Sequence, residues 1–128
     1  MRQAGIIAAG ALHALQCHRD RLAEDHQHAQ IIAQAVREAP GLSLAPDIVD
    51  TNMVIFAVDP AVGTAAQFTA TLKAHGVWML AVSATLVRAV THLDVSRAEA
   101  VAAAEIIPRV AEGLARGTIT AGNDEPTY

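Results

Sequence analysis

The sequence predicts an α+β fold, in which a small, mostly antiparallel sheet carries helices packed mainly on one face. Two helical stretches open the chain, an apolar run rich in β-branched residues lies in its middle, and a capped helix follows near its end. The predicted order is helix, helix, strand, helix, strand, strand, helix. At 128 residues, the chain has the length of one domain.

The first two predicted helices cover residues 3–17 and 20–38. No Ser, Thr, Asp or Asn stands before the first helix as a cap, which favours a helix that continues from preceding structure. In the second helix, Leu22, Ile32 and Val36 repeat on one face and are expected to be buried. A Pro-Gly pair then ends this helix.

Three strands are predicted after the second helix, and residues 42–50 connect the helix to the first of them, with room for a short strand near 42–44. The apolar run at 52–58 is the clearest strand of the chain. Residues 77–82 and 86–93 predict two more strands. Only three residues separate them, which suits an antiparallel pair.

Cap signals predict the remaining two helices. Residues 64–75 are expected to form a helix that ends at Gly76. Its inward side chains are Phe68 and Leu72. Ser96 and Glu99 have the spacing of a capping box, so the last helix is expected to begin at Arg97.

The end of the chain departs from a regular helix. Pro108 lies inside the last predicted helix and is expected to kink or break it. Residues 1–117 are expected to form the ordered domain, with residues 1–17 as a helix leading in from a larger domain. Residues 118–128 are expected to form a disordered tail.

Composition excludes several classes of partner and site. The net charge of −4 and the absence of a basic stripe argue against nucleic acid, and no apolar run is long enough to span a membrane. Cys17 is the single cysteine, so the chain forms no internal disulfide and suits the cytoplasm. A reactive thiol and a buried helix residue are both open for Cys17, and burial is favoured.

Arg88 is the sharpest candidate for a binding residue. In a strand it shares a face with Leu86 and Val90, and a guanidinium among apolar neighbours is costly unless an anion pairs with it. One reading is a clamp for a substrate carboxylate. The other is a structural arginine that escapes at a sheet edge or pairs with Asp94.

Arg2 and the histidines give weaker signals. Arg2 opposes the dipole at the start of a helix unless a phosphate or another acid lies nearby, although a solvated terminal arginine is equally consistent. No two of the six histidines have i,i+4 spacing or the spacing of a zinc site, so no metal is predicted. His92 is expected on the same side as Arg88, most simply as a hydrogen-bonded structural residue.

Several segments together resemble the C-terminal part of low-specificity threonine aldolases, which use pyridoxal phosphate. The resemblance runs over most of residues 1–105. The four segments that carry it are MRQAG (1–5), RLAEDH (21–26), DTNM (50–53) and VRAVTHLDVSR (87–97), of which the last is the most specific.

The resemblance implies the C-terminal small domain of a fold type I pyridoxal phosphate enzyme. It implies that Arg2 helps to hold the cofactor and that Arg88 binds the α-carboxylate of a small amino-acid substrate. The Schiff-base lysine of the family has no counterpart here, because Lys73 lies in an unrelated context. No catalytic residue is therefore assigned, and the chain alone is expected to be inactive.

Three hypotheses follow for function. The first is part of an aldolase that cleaves L-threonine or L-allo-threonine to glycine and acetaldehyde, completed by a larger domain and acting as a homo-oligomer. The second is a non-catalytic module that docks on an upstream domain or on an intact aldolase. The third is part of another pyridoxal phosphate-dependent amino-acid lyase.

Overall fold

The computed structural model describes residues 2–122, so Met1 and residues 123–128 lie outside the described part. The helices are α1 (Ala4–Cys17), α2 (Leu22–Glu38), α3 (Ala65–Ala74) and α4 (Arg97–Ala115). The strands are β1 (Leu42–Leu44), β2 (Met53–Val58), β3 (Leu80–Ala81) and β4 (Leu86–Val90). A 3-10 turn joins α1 to α2. The predicted α+β class and element order are confirmed.

The four strands form one antiparallel sheet in the order β1-β2-β4-β3. Its centre is the pair β2–β4, in which Phe56 lies opposite Val87 and Ile55 lies opposite Arg88. Because side chains alternate along a strand, each register pair sends both of its side chains to the same face. The sheet therefore has a Phe56 face and an Arg88 face.

The Phe56 face is the one that the helices cover. Phe56 and Phe68 are fully buried, and their rings meet edge to face with centroids 6.1 Å apart. Helices α2, α3 and α4 all contribute to this single core, which includes Val36, Leu72 and Ile107. The expectation of helices mainly on one face is thus confirmed.

Helix α1 stands apart from this core. None of its residues is buried, and Ile6 and Leu15 are 74% and 66% exposed. As the sequence predicts, the helix has no side-chain cap, since Gln3 makes no capping hydrogen bond. A helix with exposed aliphatic side chains along its length presents an unusually apolar surface.

The predicted capping box of Ser96 and Glu99 forms at the start of α4. Thr64 and Gln67 form a second reciprocal capping box at the start of α3, which was not predicted. Gly76 ends α3 with a φ of 84°, a conformation that favours glycine.

Helix α4 runs without interruption through Pro108. The expected break is therefore wrong, because burial of Ile107, Val110 and Ala111 holds the helix on both sides of the proline. Tertiary packing here outweighs the missing backbone donor.

Two strands are shorter than predicted. The backbone N–H of Val77 donates to the carbonyl of Leu72 in the turn that closes α3. Strand pairing with β4 is therefore limited to Leu80 and Ala81. Strand β4 ends at Val90, after which the Thr91 hydroxyl donates to the carbonyl of Asp25 at 2.6 Å.

Leu22 also departs from expectation, because it is 51% exposed. The first buried residue of α2 is His28, so the N-terminal part of the helix extends past the core. Periodicity alone predicts which side of a helix is apolar, but it does not predict where the neighbouring elements end.

The segment after α4 folds back onto the helices. The Thr118 hydroxyl donates to Gly113 at 3.2 Å, and the Gly122 N–H donates to Thr71 Oγ1 at 3.0 Å. A Cβ on Gly113 would approach Ile119 Cδ1 to 2.3 Å, so the glycine permits this contact. The remainder of the predicted tail, residues 123–128, lies outside the described residues.

Over residues 2–122, the structure contains no helix with the length and apolar character needed to cross a lipid bilayer.

We expect Phe68→Ala to lower the free energy of unfolding by about 3–5 kcal/mol, because it leaves a cavity beneath Phe56. Ile6→Ala on exposed α1 is the matched control and should change it by less than about 0.5 kcal/mol. Urea unfolding of both variants measures the difference. Equal losses would contradict the assignment of the core.

Candidate functional site

Arg88 lies at the centre of the sheet face that the helices leave open. Its direct neighbours across the sheet are Ile55 on β2 and Leu80 on β3. Along β4, Leu86 and Val90 flank it on the same face, as the sequence predicts. The side chain is half-buried, so its charge lies within an apolar surface.

The charge of Arg88 has no partner within residues 2–122. Its Nε atom is buried and makes no hydrogen bond, and no ion pair involves its guanidinium. Asp94 lies instead 3.8 Å from the Nδ1 of His92. The pairing of Arg88 with Asp94 that the sequence left open is therefore not formed.

An uncompensated guanidinium in an apolar surface is suited to binding an anion. Removal of water strengthens its attraction for a negative charge, and the planar fork matches a carboxylate. Structural arginines are normally satisfied by protein acceptors, because a lone buried donor costs free energy. Within residues 2–122, the arrangement therefore leaves the Arg88 guanidinium available to an anion.

Arg2 is exposed just before α1 and shares an open depression with Gln3, Ile6 and Ile7. The first turn of α1 contains no acidic residue, so its free N–H groups and Arg2 are all available to an anion. The depression that Arg2 lines does not include Arg88.

Lys73 is the single lysine of the chain, and its amine is engaged elsewhere. Its Nζ lies 4.4 Å from the centroid of the Trp78 ring, near the end of α3. This cation–π contact accounts for the lysine locally.

His92 and Arg88 do not line the same cleft. His92 lines a cleft of about 420 Å³ between the first turns of α4 and the segment before β3. The Nδ1 of His92 accepts from the backbone N–H of Asp94 at 3.3 Å. The side chain is thus hydrogen-bonded, as expected, but the strand ends too early to carry it onto the Arg88 face.

The same cleft is bordered by Glu99, whose carboxylate accepts from the backbone N–H and the hydroxyl of Ser96 at 2.8 and 2.7 Å. The hydrogen bond from the Ser96 hydroxyl lowers the pKa of Glu99 most, and the one from the Ser96 backbone N–H lowers it further, so the pKa lies below its ordinary value. The negative charge of this acid serves the helix cap.

The N-terminal helix carries a contact that sequence reasoning missed. Cys17 is exposed, so its predicted burial is wrong, and its Sγ lies 3.7 Å from the Nδ1 of His13. The His13 ring in turn meets the His18 ring edge-on. The i,i+4 spacing of His13 and Cys17 was the available signal.

Within residues 2–122, no group of three or more His, Cys, Asp or Glu side chains is arranged to hold a metal ion. Cys17, His13 and His18 form a local cluster at the C-terminal end of α1.

Two comparisons, one with protein-family models and one with individual proteins, give matches for this chain. Residues 1–60 match the family model described as beta-eliminating lyase. The low specificity L-threonine aldolase of Escherichia coli K12 is 41% identical over 99 residues, and the low-specificity L-threonine aldolase 1 of Arabidopsis thaliana is 28% identical over 100. These matches cover 76% and 77% of this chain, but only 27% and 28% of the relatives. The resemblance seen in the sequence is confirmed.

We expect Glu99 to make stability depend on acidity. Because its pKa is lower in the folded chain, its contribution is present above pH 4.5 and is lost as the pH falls through the folded pKa. In Glu99→Gln, the loss of stability on acidification should be smaller than in the parent. Urea unfolding on either side of that pH tests this, with the exposed Glu105→Gln as control. Identical acid profiles for all three proteins would contradict it.

We also expect Arg88 to cost stability. Arg88→Met should raise the free energy of unfolding by about 1 kcal/mol, because it removes a buried donor without a partner. Arg97→Met, at an exposed position on α4, should have little effect. Unfolding at low protein concentration is the measurement, and a clear loss of stability in Arg88→Met would contradict the expectation.

Proposed function

Since the chain is threonine-aldolase-like over about three quarters of its length, we propose that it forms part of a pyridoxal phosphate-dependent aldolase. The complete protein would cleave L-threonine or L-allo-threonine to glycine and acetaldehyde. The chain spans about a quarter of the length of the curated relatives that it matches. The proposal therefore assigns the remaining machinery to a larger domain.

The observation that carries this proposal is the unpaired Arg88 on the open sheet face. A small amino acid offers one carboxylate, and the guanidinium at the centre of an apolar surface matches it. A substrate fixed at its carboxylate has fewer orientations, so the bond to be broken is held in one direction. Such positioning is worth several powers of ten in rate.

The described residues fit only part of a cofactor site. Arg2 and the free N–H groups of α1 suit a phosphate. The Lys73 amine lies over the Trp78 ring, and we do not assign it to the cofactor aldehyde. When bound, pyridoxal phosphate supplies an electron sink for the glycine carbanion. This chain would contribute binding and orientation, and we propose no turnover by the chain alone.

Two uncovered apolar surfaces support a covering partner. The Arg88 face exposes Met53, Leu80 and Val90, and α1 exposes four large aliphatic side chains. Exposed patches of this kind mark interfaces. We propose that the larger domain covers both, and that the complete protein is a cytoplasmic homo-oligomer.

A non-catalytic docking module is the second candidate, and α1 is the observation that favours it. A helix without a buried residue would serve equally well to dock on a separate aldolase subunit. A related lyase acting on another amino acid remains the third, and substrate profiling separates it from the first.

The test is a chimera in which this chain replaces the matching 99 residues of the Escherichia coli low specificity L-threonine aldolase. We expect the chimera to release acetaldehyde from L-threonine, measured with a coupled alcohol dehydrogenase. Arg88→Lys should lower kcat/KM by about 100-fold, because a lysine cannot make the paired contact. The isolated chain should release none.

Arg97→Lys, on the exposed surface of α4, is the matched control and should retain parental activity. An active chimera in which Arg88→Lys is equally active would remove Arg88 from the proposed site. A folded chimera that binds the cofactor but cleaves no hydroxy amino acid would favour the docking module.

A further inference from the structure

Arg88 is enclosed by apolar side chains in the plane of the sheet. The register places Ile55 directly opposite it on one side and Leu80 directly opposite it on the other. Side chains in such directly opposed pairs have Cβ atoms about 5 Å apart, close enough to pack along the aliphatic stem. The three residues form one row across β2, β4 and β3.

This enclosure acts on one nitrogen of the guanidinium. Nε is closed off from solvent and has no hydrogen-bond partner in the described chain, whereas neither Nη atom is buried in this way. An incoming anion therefore meets the two Nη groups at the end of the fork. The buried Nε–H group is closed to it.

We infer that Ile55 and Leu80 are positioning residues for Arg88, and that they present the guanidinium end-on to its anion. They hold the stem upright from both sides, and they exclude water from Nε. The inference rests on the proposed function for one point only, which is that the anion is a substrate carboxylate.

Ile55 and Leu80, the two side chains that flank Arg88, differ in how firmly the sheet holds them. Ile55 belongs to the central strand β2 and is half-buried, while Leu80 is 38% exposed and belongs to the two-residue edge strand β3. Leu80 is therefore the flanking side chain that can be truncated with the smaller effect on the core.

The experiment is NMR of the full ¹⁵N-labelled chain, in which the Nε–H resonance of Arg88 is identified by its loss in Arg88→Lys. We expect this proton to exchange with water about tenfold more slowly than those of the exposed arginines. Leu80→Ala should bring its rate to that of the others. Leu80→Met keeps a large apolar side chain beside Arg88, so in this variant the Nε–H should remain protected as in the parent.

Met53→Ala is the matched control. Met53 lies on the same face, is 41% exposed, loses the same number of heavy atoms, and pairs with Val90 rather than with Arg88. It should leave the exchange rate of the Arg88 Nε–H unchanged. The amide spectrum of each variant verifies that the sheet is intact.

A second arm titrates the chain with acetate against chloride at matched ionic strength. Acetate should shift the Arg88 resonances in the parent and shift them less in Leu80→Ala. If the Nε–H is protected and Leu80→Ala releases it, but acetate shifts nothing, the positioning role stands and the carboxylate assignment falls. The positioning inference is overturned if the Arg88 Nε–H of the parent exchanges as fast as the Nε–H of exposed arginines. It is also overturned if this proton stays protected in Leu80→Ala. Neither conclusion depends on the result with acetate.

Discussion

The pairing register of β2 with β4 is the constraint on which the rest of the structure depends. With Phe56 opposite Val87 and Ile55 opposite Arg88, every large side chain of the core lies under the helices and the guanidinium lies on the other face. A slip by one residue would exchange the two faces, placing a charge in the core and Phe56 outside. Burial of the phenylalanine pair therefore fixes the position of Arg88 as firmly as it fixes the core.

Much of this fold could be predicted where the signals are local. The apolar run of β2, the Ser96 cap and the turn glycine Gly76 each act within a few residues, and each was placed correctly. Predictions failed where the outcome depends on a distant neighbour. The burial of a side chain depends on where the sheet and the other helices end, which explains the exposed Leu22 and Cys17.

The candidate site follows the same division. Alternation along a strand was enough to predict that Arg88 shares a face with Leu86 and Val90. It was not enough to predict that no acid of residues 2–122 pairs with Arg88 or that its Nε is buried. Those facts require the register of three strands, two of which are separated from β4 in sequence. His92 shows the reverse case, because alternation was extended beyond the last strand residue, whereas His92 lines a cleft that Arg88 does not line.

The isolation of Arg88 on its face has a consequence for how this surface meets copies of itself. The face is otherwise apolar, and open apolar sheets tend to stack. Two such faces in contact would bring two guanidinium groups together in a dry interface, where neither finds a counter-charge. One arginine thereby opposes sheet stacking, and it does so without weakening attraction to a carboxylate-bearing molecule. The residue that we propose to bind a carboxylate would thus also disfavour stacking of this sheet on a second copy.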